Sequence, residues 1–219
     1  MSRIQLVIFD LDGVITSTTN EHFKAWSLLF IKHFGIHLSS ELESYTKGVS
    51  RLDSLHVLLE KSGIKLTDQT MIEKLANEKN LIYQELISEF DETNRFAGVM
   101  ELLDYLKSKS VKIALGSASK NSSFLLKRIN LANKFDYIVD PSGLKSKPDP
   151  AIFLDAMHQL KLNPDQCIGF EDAIAGVEAI KSAGILAIGI GNEKLANADY
   201  HFRSLKDIDY ELLEKLIEG

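Results

Sequence analysis

The sequence predicts an α/β fold: a doubly wound, Rossmann-like parallel sheet with an inserted all-helical cap domain. Three observations predict it. The run from Ile4 to Phe9 is apolar at five of six positions, without the alternation of a half-wet strand, as a strand buried on both faces reads. From about Thr18 to Asp91, apolar residues recur only at helical spacing. After Gly98, short apolar runs alternate with helical stripes, the pattern of repeated strand–helix crossovers. The first strand has nothing to pair with among the helices and must join the later strands. Residues 1–16 and 95–219 therefore form an α/β core, and residues 17–94 a helical cap.

Each element has its own signal. Phe23, Trp26, Phe30 and Phe34 recur at helical spacing from His22 to Phe34, and Gly35 ends the run. Lys47-Gly48-Val49-Ser50-Arg51 is a short basic loop. Leu52, Leu55, Leu58 and Leu59 make a second stripe, stopped by Gly63. Asp68 caps a third helix carrying Met71, Ile72, Leu75, Ile82 and Leu86. Val99, Leu102, Leu103 and Leu106 then mark a helix, and Val111 to Leu115 a strand followed at once by Ser117-Ala118-Ser119-Lys120-Asn121. A helix over Phe124 to Ile129 precedes the strand Tyr137-Ile138-Val139. Lys145, Lys147, Pro148 and Pro150 lead into a helix bearing Ile152, Phe153, Met157 and Leu160. Cys167 to Phe170 is a strand ending on Glu171-Asp172, and the next helix closes at Gly184. Ile185 to Ile190 is the last clear apolar strand, and a helix from about Tyr210 ends the chain.

Composition bounds the partners. With 219 residues, 45% hydrophobic and 26% charged, the chain is built like an ordinary globular protein. Its net charge of −6 has the wrong sign for general binding to nucleic acid or to an anionic membrane. Any phosphate site must be a local basic cluster. The single cysteine, Cys167, excludes an internal disulfide and suits a reducing cytoplasm. It lies in an apolar run and reads as a small buried hydrophobe. No apolar run approaches a membrane span and no signal-peptide pattern is present, so a cytoplasmic protein is expected; a monomer is the expected state, though the sequence does not set it.

The chemistry concentrates where strands end. Asp10 and Asp12 point the same way on an extended backbone, because side chains alternate with a period of two. Gly13 allows a sharp turn behind them. Such a pair either holds a divalent cation through hard oxygens, or divides nucleophilic attack from proton transfer. Ser117 to Asn121, Lys147 and Glu171-Asp172 fall at the same predicted sheet edge. Separately, these residues read as helix caps or a solvated loop lysine. Together, two acid pairs, a hydroxyl and a lysine make a site for Mg²⁺ and a transferred phosphoryl group.

In order and local sequence, starting with Phe9-Asp10-Leu11-Asp12-Gly13-Val14, these motifs resemble the haloacid dehalogenase superfamily in its phosphate-transferring branch, over essentially the whole chain. The resemblance implies that Asp10 is a nucleophile that becomes an aspartyl phosphate, and that Asp12 is the general acid/base. It makes Ser117 and Lys147 the holders of the phosphoryl oxygens. Asp10, Asp12 (through its backbone carbonyl), Glu171 and Asp172 would ligate Mg²⁺.

The predicted cap narrows the substrate. Lys47, Gly48, Val49, Ser50 and Arg51, with His22, Trp26 and Lys79, resemble the cap of the β-phosphoglucomutase-like family. Ser117, Ala118, Ser119, Lys120 and Asn121 resemble that family's core loop, and Thr18 and Ser54 join the implied substrate-binding set. Gly48 lets backbone approach a sugar, and Arg51 offers a planar fork for phosphate. A phosphatase needs one phosphate pocket; this sequence has residues for two. The implied activity interconverts β-glucose 1-phosphate and glucose 6-phosphate, with a phosphorylated small sugar and its bisphosphate as ligands. The rivals are a Mg²⁺-dependent phosphatase of sugar phosphates or pyrophosphate, and a non-catalytic phosphosugar-binding protein. One departure is Ser17, where relatives often carry Asp.

Overall fold

Strand β1 (Leu6–Phe9) is fully buried, which four consecutive apolar side chains on one strand require. It begins at Leu6 rather than Ile4. On one side it pairs with β2 (Lys112–Leu115) and through it with β3 (Tyr137–Ile138). On the other side it pairs with β4 (Cys167–Glu171), followed by β5 (Leu186–Ile190) and β6 (Tyr200–Phe202). All pairs are parallel, in the order β3-β2-β1-β4-β5-β6. The chain fills one side of β1 before the other, so β1 and β4 flank the point where the strand order reverses. Phe9 aligns with both Leu115 and Phe170 and stacks on the latter at 4.9 Å. The residues following β1, β2 and β4 therefore leave the sheet at one edge. Strand β6 is not foreshadowed by the sequence, because Tyr-His-Phe at a half-buried edge has no apolar run.

The computed structural model describes residues 3–46, 50–192 and 195–219. The chain divides into two units, Met1–Ser17 with Asp91–Gly219, and Thr18–Phe90. The second unit contains α1 (Thr19–Phe34), α2 (Arg51–Lys61) and α3 (Gln69–Ser88). Among the described residues it has no strand. Gly35 ends α1 in the left-handed region, its N–H reaching Phe30 and Ile31 carbonyls. Ser50 caps α2 by accepting from Asp53 N, and Asp68 caps α3 by accepting from Thr70 N and Met71 N. Trp26, Leu29, Phe30, Leu55, Leu58, Leu59, Ile72, Leu75 and Ala76 form its core. Each large side chain among them stabilises the unit by about 1.5–3 kcal/mol through burial. Leu52 departs from its expected stripe: in the first turn of α2 it is 40% exposed. Ser40–Thr46 forms a 3-10 segment that apolar spacing does not reveal.

In the first unit, α4 (Val99–Ser108), α5 (Ser122–Arg128), α6 (Ala151–Leu160), α7 (Ile174–Ser182) and α8 (Tyr210–Glu218) complete the strand–helix alternation. Val177 and Ile180 of α7, with Ile152 and Phe153 of α6, pack on Leu6, Ile8 and Ala187 of the sheet. Among the described residues no helix is long and apolar enough to cross a membrane.

Candidate active site

Asp10 follows β1 directly, and its backbone N–H still donates to the Phe170 carbonyl, 3.0 Å. That bond fixes its side chain, 8% exposed, at the edge of the sheet. The chain then turns sharply: Gly13 N donates to Thr16 O at 2.7 Å with Gly13 at φ +83°. Glycine is needed here twice over. A Cβ on Gly13 would also lie 1.8 Å from Asp172 Oδ2, so the missing side chain admits the Asp172 carboxylate.

Lys147 gathers the acids. Its Nζ donates to Asp10 Oδ1 at 2.5 Å and to Glu171 Oε1 at 2.6 Å. The other oxygen of Glu171 accepts from Asp172 N at 2.8 Å and Ala173 N at 2.9 Å. Asp172 is therefore not the cap of α7; Ala173 holds that position, and Glu171 takes the two N–H groups that lead into the helix. Burial pushes the Asp10 carboxyl up to about 8, with Lys147 opposing and Glu171 and Asp12 adding. Partial desolvation, then Glu171 and Asp12, push Asp172 up to about 7. Burial disfavours charge on Lys147, but Asp10 and Glu171 outweigh it and hold the ammonium firmly protonated.

Lys147 thus bonds only two of four mutually interacting carboxyl groups, a surplus that favours a further cation. One oxygen each from Asp10, Glu171 and Asp172 lies within 4.8 Å of the others, a hard donor set suited to Mg²⁺. The Asp12 carboxylate stands outside that trio and acts on its neighbours electrostatically.

Ser117 follows β2 at the same edge, where Gly116 N donates to Phe9 O at 2.8 Å. Its Oγ accepts from Ser119 N, and Ser119 Oγ accepts from Asn121 N. These hydroxyls shape the loop and do not cap α5. Ser117 and Asn121 are buried, while Ala118 and Lys120 are exposed.

The helical unit holds a second cluster. Lys79 of α3, 2% exposed, approaches His22 Nδ1 of α1 at 2.7 Å. Its Nζ lies 4.9 Å from the Trp26 ring centroid and 5.0 Å from that of Tyr83. Tyr83 stacks on His22 at 3.9 Å and donates to Thr18 Oγ1 at 3.1 Å. Burial, then Lys79 and Arg51, push His22 down to about 3; burial, then Arg51, lower Lys79 to about 7. Burial lowers Arg51 as well. Trp26 is buried in the core of the unit and Ser54 is buried on α2. Ser50 bonds Asp53 through its hydroxyl. Lys47, Gly48 and Val49 lie outside the described residues. Sequence reasoning passed over Tyr83, four residues after Lys79 on the same face of α3, because an aromatic at helical spacing reads as core.

Residues 4–184 match the family described as "Hydrolase: haloacid dehalogenase-like hydrolase". A β-phosphoglucomutase from Bacillus subtilis is 41% identical over 216 residues, covering 97% of this chain and 95% of that protein. A phosphorylated carbohydrates phosphatase from Thermotoga maritima is 34% identical over 185 residues, covering 83% and 82%. A crystal structure of β-phosphoglucomutase from Clostridium difficile aligns with a TM-score of 0.89 at 38% identity, over 98% of this chain and 97% of that one.

Proposed function

Because the chain belongs to the haloacid dehalogenase-like hydrolase family, we propose that it interconverts β-D-glucose 1-phosphate and glucose 6-phosphate, as β-phosphoglucomutases do. The observation that carries this reading is the presence of two differently built phosphate-ready clusters. One pairs a buried carboxylate, Asp10, with Lys147. The other sets Lys79 beside His22 within range of Arg51, where burial first and Arg51 second disfavour charge on Lys79, so that an incoming anion would compensate it. Hydrolysis of one phosphate ester uses the first alone; a bisphosphate intermediate uses both.

In the reaction, an Asp10 oxygen attacks phosphorus and the bond from phosphorus to the leaving sugar oxygen breaks, giving an aspartyl phosphate. Asp12 gives the departing oxygen its proton, and takes one from the sugar hydroxyl that later attacks the aspartyl phosphate. Lys147 neutralises the phosphoryl oxygens while keeping Asp10 directed, and Ser117 donates its hydroxyl to one of them. Arg51 of the helical unit takes the phosphate at the other end of the sugar, and Lys120 and Asn121 are donors of the α/β unit. Asp10, the Asp12 carbonyl, Glu171 and Asp172 would hold Mg²⁺, which supplies positive charge against the phosphoryl oxygens when bound. The surplus of carboxylates described above fits that role.

Phosphorus NMR of β-glucose 1-phosphate with Mg²⁺ and catalytic glucose 1,6-bisphosphate tests the reading. Glucose 6-phosphate should accumulate without stoichiometric inorganic phosphate; release of inorganic phosphate at the rate of substrate loss would make the protein a phosphatase. Arg51→Ala should impair this conversion far more than hydrolysis of a small phosphate donor. Equal losses in both assays would contradict a separate distal phosphate site.

A further inference from the structure

Glu171 is 2% exposed, and the space it fills is made by a residue outside the motifs, Gly176. Gly176 is the third residue of α7 and has ordinary helical backbone, outside the positive-φ glycines. Nothing in its conformation calls for glycine, and alanine is much the better helix former. Space calls for it instead. A Cβ at Gly176 would lie 1.8 Å from Glu171 Oε1, 1.9 Å from Cδ and 2.5 Å from Oε2. The carboxylate occupies the volume of the absent methyl group.

Both oxygens of that carboxylate are committed. Oε1 accepts from Lys147 Nζ, and Oε2 accepts from the N–H groups of Asp172 and Ala173. Adding a methyl group at Gly176 would break these three bonds together, since the buried carboxylate could not stay where it is. Lys147 would lose one of the two acceptors that aim it at Asp10, and the Asp172 backbone would lose its anchor beside Gly13.

We propose that Gly176 is a positioning residue for phosphoryl transfer: its missing side chain seats Glu171, and through Glu171 it directs Lys147 at Asp10. The proposal rests on the roles given above to Asp10 and Lys147. It separates Gly176 from Gly169 of β4, where the three atoms nearest an added Cβ are all Ile180 carbons, so that glycine serves helix-on-sheet packing.

The test compares wild type, Gly176→Ala, Glu171→Asp and the double variant. Gly176→Ala should fold with an unbroken circular dichroism spectrum yet lose about 10²-fold in kcat, the usual cost of ångström-scale misplacement, with the KM for the phosphosugar little changed. Its metal-free crystal structure should show Lys147 no longer bridging Asp10 and Glu171. The shorter Asp at 171 withdraws the carboxylate from the new methyl group, so the double variant should turn over faster than Gly176→Ala alone. General damage to α7 would not produce that rescue. If Gly176→Ala does not fold, the double variant decides: recovered folding and turnover support the seat, and a double variant as damaged as the single overturns it. A Gly176→Ala enzyme with near wild-type kcat and an intact Lys147 bridge also overturns it. An inert wild-type enzyme would instead defeat the functional reading, while the crystal structure of Gly176→Ala would still decide the seating of Glu171.

Discussion

Among the described residues, the buried Lys79 and the largely enclosed Lys147 fare in opposite ways. Lys147 lies against two carboxylates, which hold it charged despite burial. Lys79 lies against an imidazole and two aromatic rings, with Arg51 close enough to repel it, and falls to about 7. Burial alone therefore does not decide the state of a lysine; the groups around it do. The α/β unit supplies its lysine with anions in advance, so the ammonium is fixed before any ligand arrives. The helical unit gathers positive groups and leaves compensation to a ligand. An incoming phosphate would find a preorganised cation at the first site, and at the second a cluster that gains by its arrival.

The bluntest way to erase that difference is to neutralise an anion beside Lys147. Asp10→Asn removes both the nucleophile and one of the negative charges that hold Lys147, so turnover should fall by about 10⁴-fold or more. The fold should survive, because Glu171 still receives the Lys147 ammonium. Steady-state rates and a urea melt check both halves, and appreciable turnover by a clean preparation would remove the covalent mechanism. The complementary change is Lys147→Met. It leaves the Asp10 and Glu171 carboxylates buried without their shared cation, a loss of about 3–5 kcal/mol of stability. Transfer should fall by about 10²–10³-fold as phosphoryl oxygens lose a positive neighbour. Retained stability in urea would mean that the carboxylates carry their own compensation, and the contrast with Lys79 would weaken.

These two environments were unequally legible in the sequence. Asp10, Asp12, Lys147, Glu171 and Asp172 each sit where an apolar strand or its following loop ends, so alternation and order alone brought them to one sheet edge. The parallel sheet itself followed from the same runs, except β6, whose Tyr-His-Phe has no apolar signature. The hydrogen bonds that orient the site were not legible. Glu171 looks like one more acid beside Asp172, yet its carboxylate anchors Lys147 and the start of α7. In the helical unit, Lys79 and His22 are separated by 57 positions and meet only because α1 packs on α3. Trp26 and Tyr83 read as ordinary core aromatics, which in part they are. Spacing reveals which face of a helix is buried, but not what a buried polar group is buried against.

The change at Lys79 tests the comparison most finely, because it should have the opposite sign to that of Lys147→Met. The Lys79 ammonium is lowered from 10.5 to about 7 by burial and then by Arg51. In the unfolded chain it binds its proton at 10.5; in the folded protein it does so only near 7. Stability from this group is therefore whole above 10.5, declines as pH falls toward 7, and is fully lost below that. Linkage over the interval sets a ceiling of about 5 kcal/mol. His22, lowered to about 3, works the same way over a more acid window, losing its contribution as pH falls from 6.5 toward 3. Lys79→Met replaces the ammonium with a thioether that packs well against aromatic rings, so below pH 7 the variant should outlast the wild type in urea. The gap should close as pH rises to 10.5. Trp26 is the chain's single tryptophan and lies beside Lys79, so its fluorescence follows this unit directly. Saturating phosphosugar should stabilise the wild type more than the variant, since only the wild type adds the Lys79 charge to that of Arg51 for the anion to answer. Parallel pH curves for the two proteins, or a less stable variant below pH 7, would mean that Lys79 is compensated as Lys147 is, and the distinction between the two lysines would fail.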